Sequence, residues 1–317
     1  MKKMVGFFLA SLLIPSGTIA ATQSQTSKTE TTKSVSLSAA DMLKAVPSDV
    51  SERPDPALLL DINTPLDERQ NIFSAFEKLA NDGDTPSQYI VGSIYRIGQQ
   101  LPASPVKRDV VKAQLYLSNA ATHGEILAMA KMAEMELSAG NYLEAMNWAQ
   151  IFGHYSALLP QKLRPSPGYT AELIERIDEK FDRAKLPDVV KNVNIFIANY
   201  DGVINAGIKT AQMHDSGTDI YPISPSERQY MPGTGNSKFA DLSPKAGFVE
   251  FLIVFKPDGS AQKTLVLDSI PDPYLGKALS YIAAAYRVNS VNGAKNDSLR
   301  YAWVPVMFDD NRYRLSK

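Results

Sequence analysis

The chain has 317 residues, which at roughly 150 residues per domain suggests about two domains. Hydrophobic residues make up 44% and charged residues 21%, and 33 basic against 34 acidic side chains leave a net charge of -1, so no basic excess exists to collect phosphates and no nucleic-acid partner is expected. Cysteine is absent and the three histidines, His123, His154 and His214, are far apart, which excludes disulfides, thiolate nucleophiles and Cys-ligated zinc or iron–sulfur clusters and argues against any metal or other cofactor.

Lys2 and Lys3 precede an apolar run from Met4 to Ile14, which Pro15-Ser16-Gly17 breaks and the small residues around Ala20-Ala21 follow. Charge, apolar run and small-residue site in that order read as a secretory signal peptide over 1–21, cleaved near Ala20 or Ala21. The run is 11 residues long. A bilayer needs about 20 in a helix, so the mature protein is expected to have no stable membrane span; an uncleaved anchor is the alternative. Loss of the two lysines takes the net charge from -1 to -3. Residues 22–57 are dominated by Ser and Thr at first, then punctuated by Pro47, Pro54 and Pro56, and are expected to form a flexible tail.

Residues 58–160 carry a helical pattern. Ile72, Phe73, Phe76, Leu79 and Ala80 make one apolar face before the stop at Gly83. Tyr89-x-x-Gly92-x-x-Tyr95-x-x-Gly98 then alternates aromatic and small residues along a helix, where Gly92 is expected to permit close helix–helix approach. Asp109-x-x-Lys112-Ala113-x-x-Tyr116 opens the next helix, which Gly124 ends. The pattern recurs, with Gly92 matched by Ala133, Ala113 by Ala145 and Tyr116 by Trp148, and such spacing indicates paired helices in a repeat array. These residues, with Ser87-Gln88 before Tyr89 and Ala120-Ala121 before Gly124, resemble the Sel-one-like repeat family, relatives of the tetratricopeptide repeats. The resemblance implies an α-α solenoid that binds proteins or peptides.

Pro160, Pro165 and Pro167 end the array. Residues 161–212 read as a helical extension, with Leu173, Ile177 and Phe181 on one helix and 189–200 forming another. The Pro/Gly-rich stretch 213–246 reads as an inter-domain connector. Residues 247–317 form the last module: an apolar strand over 248–255, a Pro257-Asp258-Gly259 turn, a second strand over 264–267, a helix through Leu275, Leu279, Ile282, Ala283 and Tyr286, a turn at Asn292-Gly293, and a third strand over 301–308. This small α+β unit resembles the TonB carboxy-terminal domain in Gly247-x-Val249-x-Phe251-x-x-x-Phe255-x-x-Asp258-Gly259, in Ser269 before the helix, and in the closing Trp303-Val304-Pro305-Val306-x-Phe308. That family's domain contacts outer-membrane receptors partly through strand pairing. The two resemblances together imply a Gram-negative periplasm, and the absence of a lasting anchor and of a long proline-rich spacer argues against energy transduction.

The expected fold class is therefore multidomain, an α-helical repeat followed by a small α+β domain. No residue is singled out as catalytic. His123 and His154 read as helix-end side chains, and His214 beside Asp215 and Ser216 lacks the spatial convergence a triad needs. Glu134 and Glu136, two apart on a helix, point to different faces and do not form a glycosidase pair. Candidate binding residues are Tyr89, Tyr95, Tyr116 and Trp148, which pack in the core or line a peptide groove, and Val304, Val306 and Phe308 on the closing strand. The leading reading is a soluble, non-enzymatic periplasmic interaction protein whose partner is an envelope protein or peptide, with self-association through an edge strand as a further possibility. The alternatives are a component of a TonB-type transport complex and a metal-free envelope hydrolase.

Overall fold

The structure, a computed structural model, describes residues 53–214, 220–222, 246–288 and 300–308. The signal-peptide segment, the tail up to residue 52, most of 213–246, the Asn292-Gly293 turn and the residues after Phe308 lie outside the described residues.

The first part is helical. It comprises α1 (Pro56–Leu60), α2 (Leu66–Asn81), α3 (Thr85–Ile97), α4 (Val110–Thr122), α5 (Ile126–Ala139), α6 (Tyr142–Leu158), α7 (Pro167–Asp178) and α8 (Leu186–His214). The starts are set by side chains that satisfy orphan backbone donors: Asp84 accepts from the Ser87 amide and Asp109 from the Lys112 amide. Gly83, Gly124 and Gly140 take positive φ between successive helices, a conformation other residues adopt only at a cost. From α1 to α7 each helix packs on the next. Gly92 has the expected steric reason. A Cβ there would lie 2.8 Å from Leu117 Cγ and 3.1 Å from the Leu117 backbone nitrogen, so only glycine lets α3 and α4 come this close. Its counterpart Ala133 is fully buried. Helix α5 is apolar nearly all round and runs through the middle of the core, with every position from Ala128 to Glu136 buried.

Helix α8 departs from the sequence reading. It runs unbroken over 186–214, so the expected connector at 213–246 begins inside a helix. Val189 is buried near one end, and Ile204 and Ile208 near the other. At that second end α8 meets the α4–α5 turn so closely that a Cβ on Gly207 would sit 1.8 Å from the His123 carbonyl oxygen. No helix among the described residues is long and apolar enough to cross a membrane.

The carboxy-terminal part is α+β. Strands β2 (Gly247–Phe255), β3 (Ala261–Ile270) and β5 (Arg300–Phe308) form an antiparallel sheet in the order β3-β2-β5, and α9 (Leu275–Ala283) follows β3. The helix expected to continue through Tyr286 stops at Ala283. Tyr286–Val288 is instead a short strand, β4, paired antiparallel with β1 (Ile220–Pro222), whose residues fall within the expected connector.

Every residue of β2 is buried, which explains why it reads as a continuous apolar run and not as an alternation. Val249, Phe251, Ile253 and Phe255 pack with Leu275, Leu279 and Ala283 of α9. Phe248 and Leu252, on the opposite face, join the core of the helical part, and the Phe248 ring meets Tyr169 of α7 edge-on at 5.4 Å. The sheet is thus a middle layer between α9 and the helical part. The two parts share one hydrophobic core, where the sequence suggested modules separated by a connector.

Candidate functional site

The helix–sheet contact is built around charges. Lys131 of α5 is fully buried, a position a lysine holds only with partners. Its Nζ donates to Glu250 Oε2 of β2 and to Ser93 Oγ of α3, at 2.6 Å each, lies 3.2 Å from Asp268 Oδ2 of β3, and sits 3.9 Å above the Tyr89 ring. Arg96 of α3 grips Asp268 with two nitrogens and also donates to the Ser269 carbonyl at 2.7 Å. The Tyr89 hydroxyl donates to Glu250. Burial disfavours charge on Asp268, but Arg96 and Lys131 outweigh it and hold that carboxyl below the usual range. Burial, and then the Glu250 carboxylate, push the Tyr89 phenol well above its ordinary range, so it stays a donor.

A second set adjoins the first. Glu134 of α5 accepts from the Tyr169 hydroxyl at 3.0 Å and from both terminal nitrogens of Arg176, whose Nε donates to Glu172 at 2.8 Å. Beyond these, Lys263 of β3 reaches Asp61, after α1, at 2.5 Å. The Arg96, Lys131 and Lys263 contacts fix the sheet's position on α3, α5 and the end of α1, while the Glu134 set ties α7 to α5. Among the described residues no group of three or more His, Asp and Glu could hold a metal ion.

The structure disperses the candidate aromatics. Tyr89 belongs to the ionic interface. Tyr95 and Tyr116 come together, stacked nearly parallel at 6.2 Å, with Phe73 edge-on to Tyr95 at 5.2 Å. The Tyr95 hydroxyl donates to Glu77 at 2.7 Å and receives a bond from Lys112 at 2.8 Å, and the Tyr116 hydroxyl donates to Asn81. Burial is the largest cause pushing the Tyr95 phenol up to about 12. Trp148 lies apart, half-buried and edge-on to Phe196 of α8 at 5.4 Å. Tyr89, Tyr95 and Tyr116 are buried, and the four do not share one surface. His123 caps α4 with its Nδ1 2.7 Å from the Asn119 carbonyl, and His154, inside α6, packs on Tyr155.

On the closing strand, Val304 and Val306 are buried beneath α9, with Phe308 packed beside them. Trp303 and Met307 pack towards the helical part, while Tyr301 and Pro305 are exposed. All nine residues of β5 are in register with β2, from Gly247↔Phe308 to Phe255↔Arg300. Among the described residues no strand pairs with the other side of β5. No family model, curated protein or solved structure matches the chain.

The sequence reading missed the ionic interface, yet its signals were present. Glu250 is the one charge in a nine-residue apolar strand, and Lys131 the one cation in Ile126-Leu-Ala-Met-Ala-Lys-Met-Ala133. A lone charge in a segment too apolar to be exposed needs an opposite charge in another such segment.

Proposed function

We propose that this chain is a non-enzymatic interaction protein of the cell envelope, exported to the periplasm, which holds an extended segment of an envelope protein or peptide along strand β5. The observation that carries the reading is the strand edge: β5 is paired along its whole length on one side and, among the described residues, on one side only. Unpaired backbone donors and acceptors on such an edge take up an added strand. Pro305 fits an edge, because a proline can sit in a paired strand when its nitrogen faces away from the partner. By the alternation along a strand, Tyr301, Trp303 and Met307 then present their backbone groups outward as well.

The helical part supports this reading as a Sel-one-like repeat, on the Tyr89–Gly98 and Asp109–Gly124 residues and on the glycine-mediated packing of α3 on α4. The buried ionic groups support a binding protein over a hydrolase, since Arg96–Asp268 and Lys131–Glu250 are committed to holding the sheet on the helices and Arg176–Glu134 to holding α7 on α5. A role in a TonB-type transport complex is the second reading, favoured by the order hairpin, helix, strand in 247–308.

Site-specific photo-crosslinking in cells tests the proposal. A benzophenone amino acid at Tyr301 or Pro305 is expected to yield a discrete adduct to one envelope protein. The same probe at Val111, the most exposed of the large apolar side chains on α4, should not. Equal labelling from all three positions, or from Val111 alone, refutes a β5 site.

A further inference from the structure

The sheet has two edges, β3 and β5, and they differ. On β3 the register with β2 breaks twice, which leaves Gln262 and Leu267 unmatched in the ladder. Arg287 of β4 bridges Ser260, just before β3, and the Val288 amide donates to the Gly259 carbonyl at 3.0 Å, so β4 covers the start of that edge. Lys263 adds a charge, tied to Asp61. Bulges, covering segments and lysines are the devices that blunt an edge against strand pairing. Strand β5 follows β2 through nine residues without a break in register. Its one interruption is Pro305, which offers a carbonyl but no amide.

The uncovered surface of β5 is one-sided. Val304 and Val306, towards α9, are 6% and 2% exposed. On the face towards the helical part Tyr301 is 47% exposed, Pro305 is exposed, and Trp303 and Met307 are half-buried. These four lie across from Val254, Leu252, Glu250 and Phe248, and by alternation they are the residues whose backbone groups point outward. They form a shelf of two aromatic rings, a proline ring and a thioether. No residue from 301 to 308 is charged.

We propose that β5 selects an extended segment with large apolar or aromatic side chains at every second position, set beside Tyr301, Trp303, Pro305 and Met307, and with no charge on that face. The selection presupposes the strand addition at β5 proposed above. A strand added about 4.8 Å away places alternate side chains alongside the shelf. Large apolar ones take the exposed parts of the Tyr301 and Trp303 rings and of Pro305 out of water. A charge in the same place loses water and meets no opposite charge within 301–308. The other set of side chains lies beside Val304 and Val306, which are already covered, and tolerates polar residues. Main-chain bonds supply affinity for any extended segment, and the shelf supplies the choice among segments.

Amide NMR titration of the protein with three end-blocked nonapeptides, each on a polyethylene glycol tail, tests the selection. One alternates leucine and threonine, one has the same residues with the leucines grouped together, and one alternates lysine and threonine. The alternating leucine peptide is expected to shift the amides of Tyr301, Trp303 and Met307 and to bind roughly tenfold or more tightly than either of the others. Tyr301→Thr, at an exposed position and with a good strand former, should weaken that binding several-fold while leaving the other amide shifts of the free protein in place. Equal binding by the three peptides, no binding by the alternating leucine peptide, or shifts confined to residues outside β5 overturns the proposal. The crosslink from Tyr301 or Pro305 tests strand addition by itself. An adduct together with equal peptide binding removes the selection and keeps the β5 site, whereas no adduct removes the site and the selection with it.

Discussion

Replacing Lys131 by methionine keeps the length of the side chain and removes its charge. In the wild type Nζ satisfies Glu250 and Ser93 at 2.6 Å each and lies 3.2 Å from Asp268, and all four residues are buried. The substitution leaves Asp268 with Arg96, but leaves Glu250 with the Tyr89 hydroxyl alone, a buried carboxylate with no cation. Breaking a buried pair from one side costs about 3–5 kcal/mol, most of it the penalty on the stranded charge. The methionine side chain itself suits the apolar surroundings and does not add to that loss. Denaturant unfolding near pH 6, followed by tryptophan fluorescence, should therefore show Lys131→Met less stable by about that amount. Adding Glu250→Gln removes the stranded charge and should recover a large part of the loss, a coupling that a double-mutant cycle measures directly. A Lys131→Met midpoint equal to wild type, or a double variant weaker than the sum of the singles, would refute the reasoning.

Gly92→Leu should destabilise the helical part by about 1–3 kcal/mol or more, since even a Cβ meets Leu117 at 2.8 Å; an unchanged denaturation midpoint contradicts the α3–α4 packing. Gly207→Ala should release α8 from the α4–α5 turn, because the added carbon meets the backbone of His123, and limited proteolysis within 186–214 reports it. Asp268 is held below its ordinary range, so the stability it contributes is present above the unfolded value and lost as pH falls through the folded one; Asp268→Asn should be less stable near pH 6 and show a shallower acid-unfolding slope. Pro305→Thr restores an outward backbone donor to the middle of β5 and should raise self-association measured by analytical ultracentrifugation.

Much of the fold can be read from the chain, because local chemistry and tertiary packing agree there. Helices α2 to α6 follow their apolar spacing, and their ends follow Asp84, Asp109, Gly83, Gly124 and Gly140, each of which satisfies or permits a specific backbone group. The β2–β3 hairpin follows from an apolar run and the Asp258-Gly259 turn. The departures occur where distant partners decide. Tyr286 continues the apolar helix pattern in sequence, but pairing with β1 takes it into a strand. Residues 186–214 hold a single helix although Gly202 and Gly207 weaken it. Gly207 is needed for the approach to His123, whereas a Cβ on Gly202 would touch nothing within 4 Å, and no contact explains that glycine. The aromatic positions are divided among the ionic interface, the Tyr95–Tyr116 stack and the α8 contact, since Tyr89 and Tyr95, six residues apart on α3, point about 120° apart around its axis and face different neighbours. Strand β5 is legible as the closing strand because Tyr301 to Phe308 is a mostly apolar run following the Asn292-Gly293 turn signal.

The most direct test of the proposed function is residue-resolved hydrogen exchange of β5, with and without the envelope protein captured by crosslinking from Tyr301. The account predicts new protection at the outward-facing amides of Tyr301, Trp303 and Met307, with Val304 and Val306, already bonded to β2, changing little. Protection confined to the helical part or to α9, with none at Tyr301, Trp303 and Met307, would contradict it.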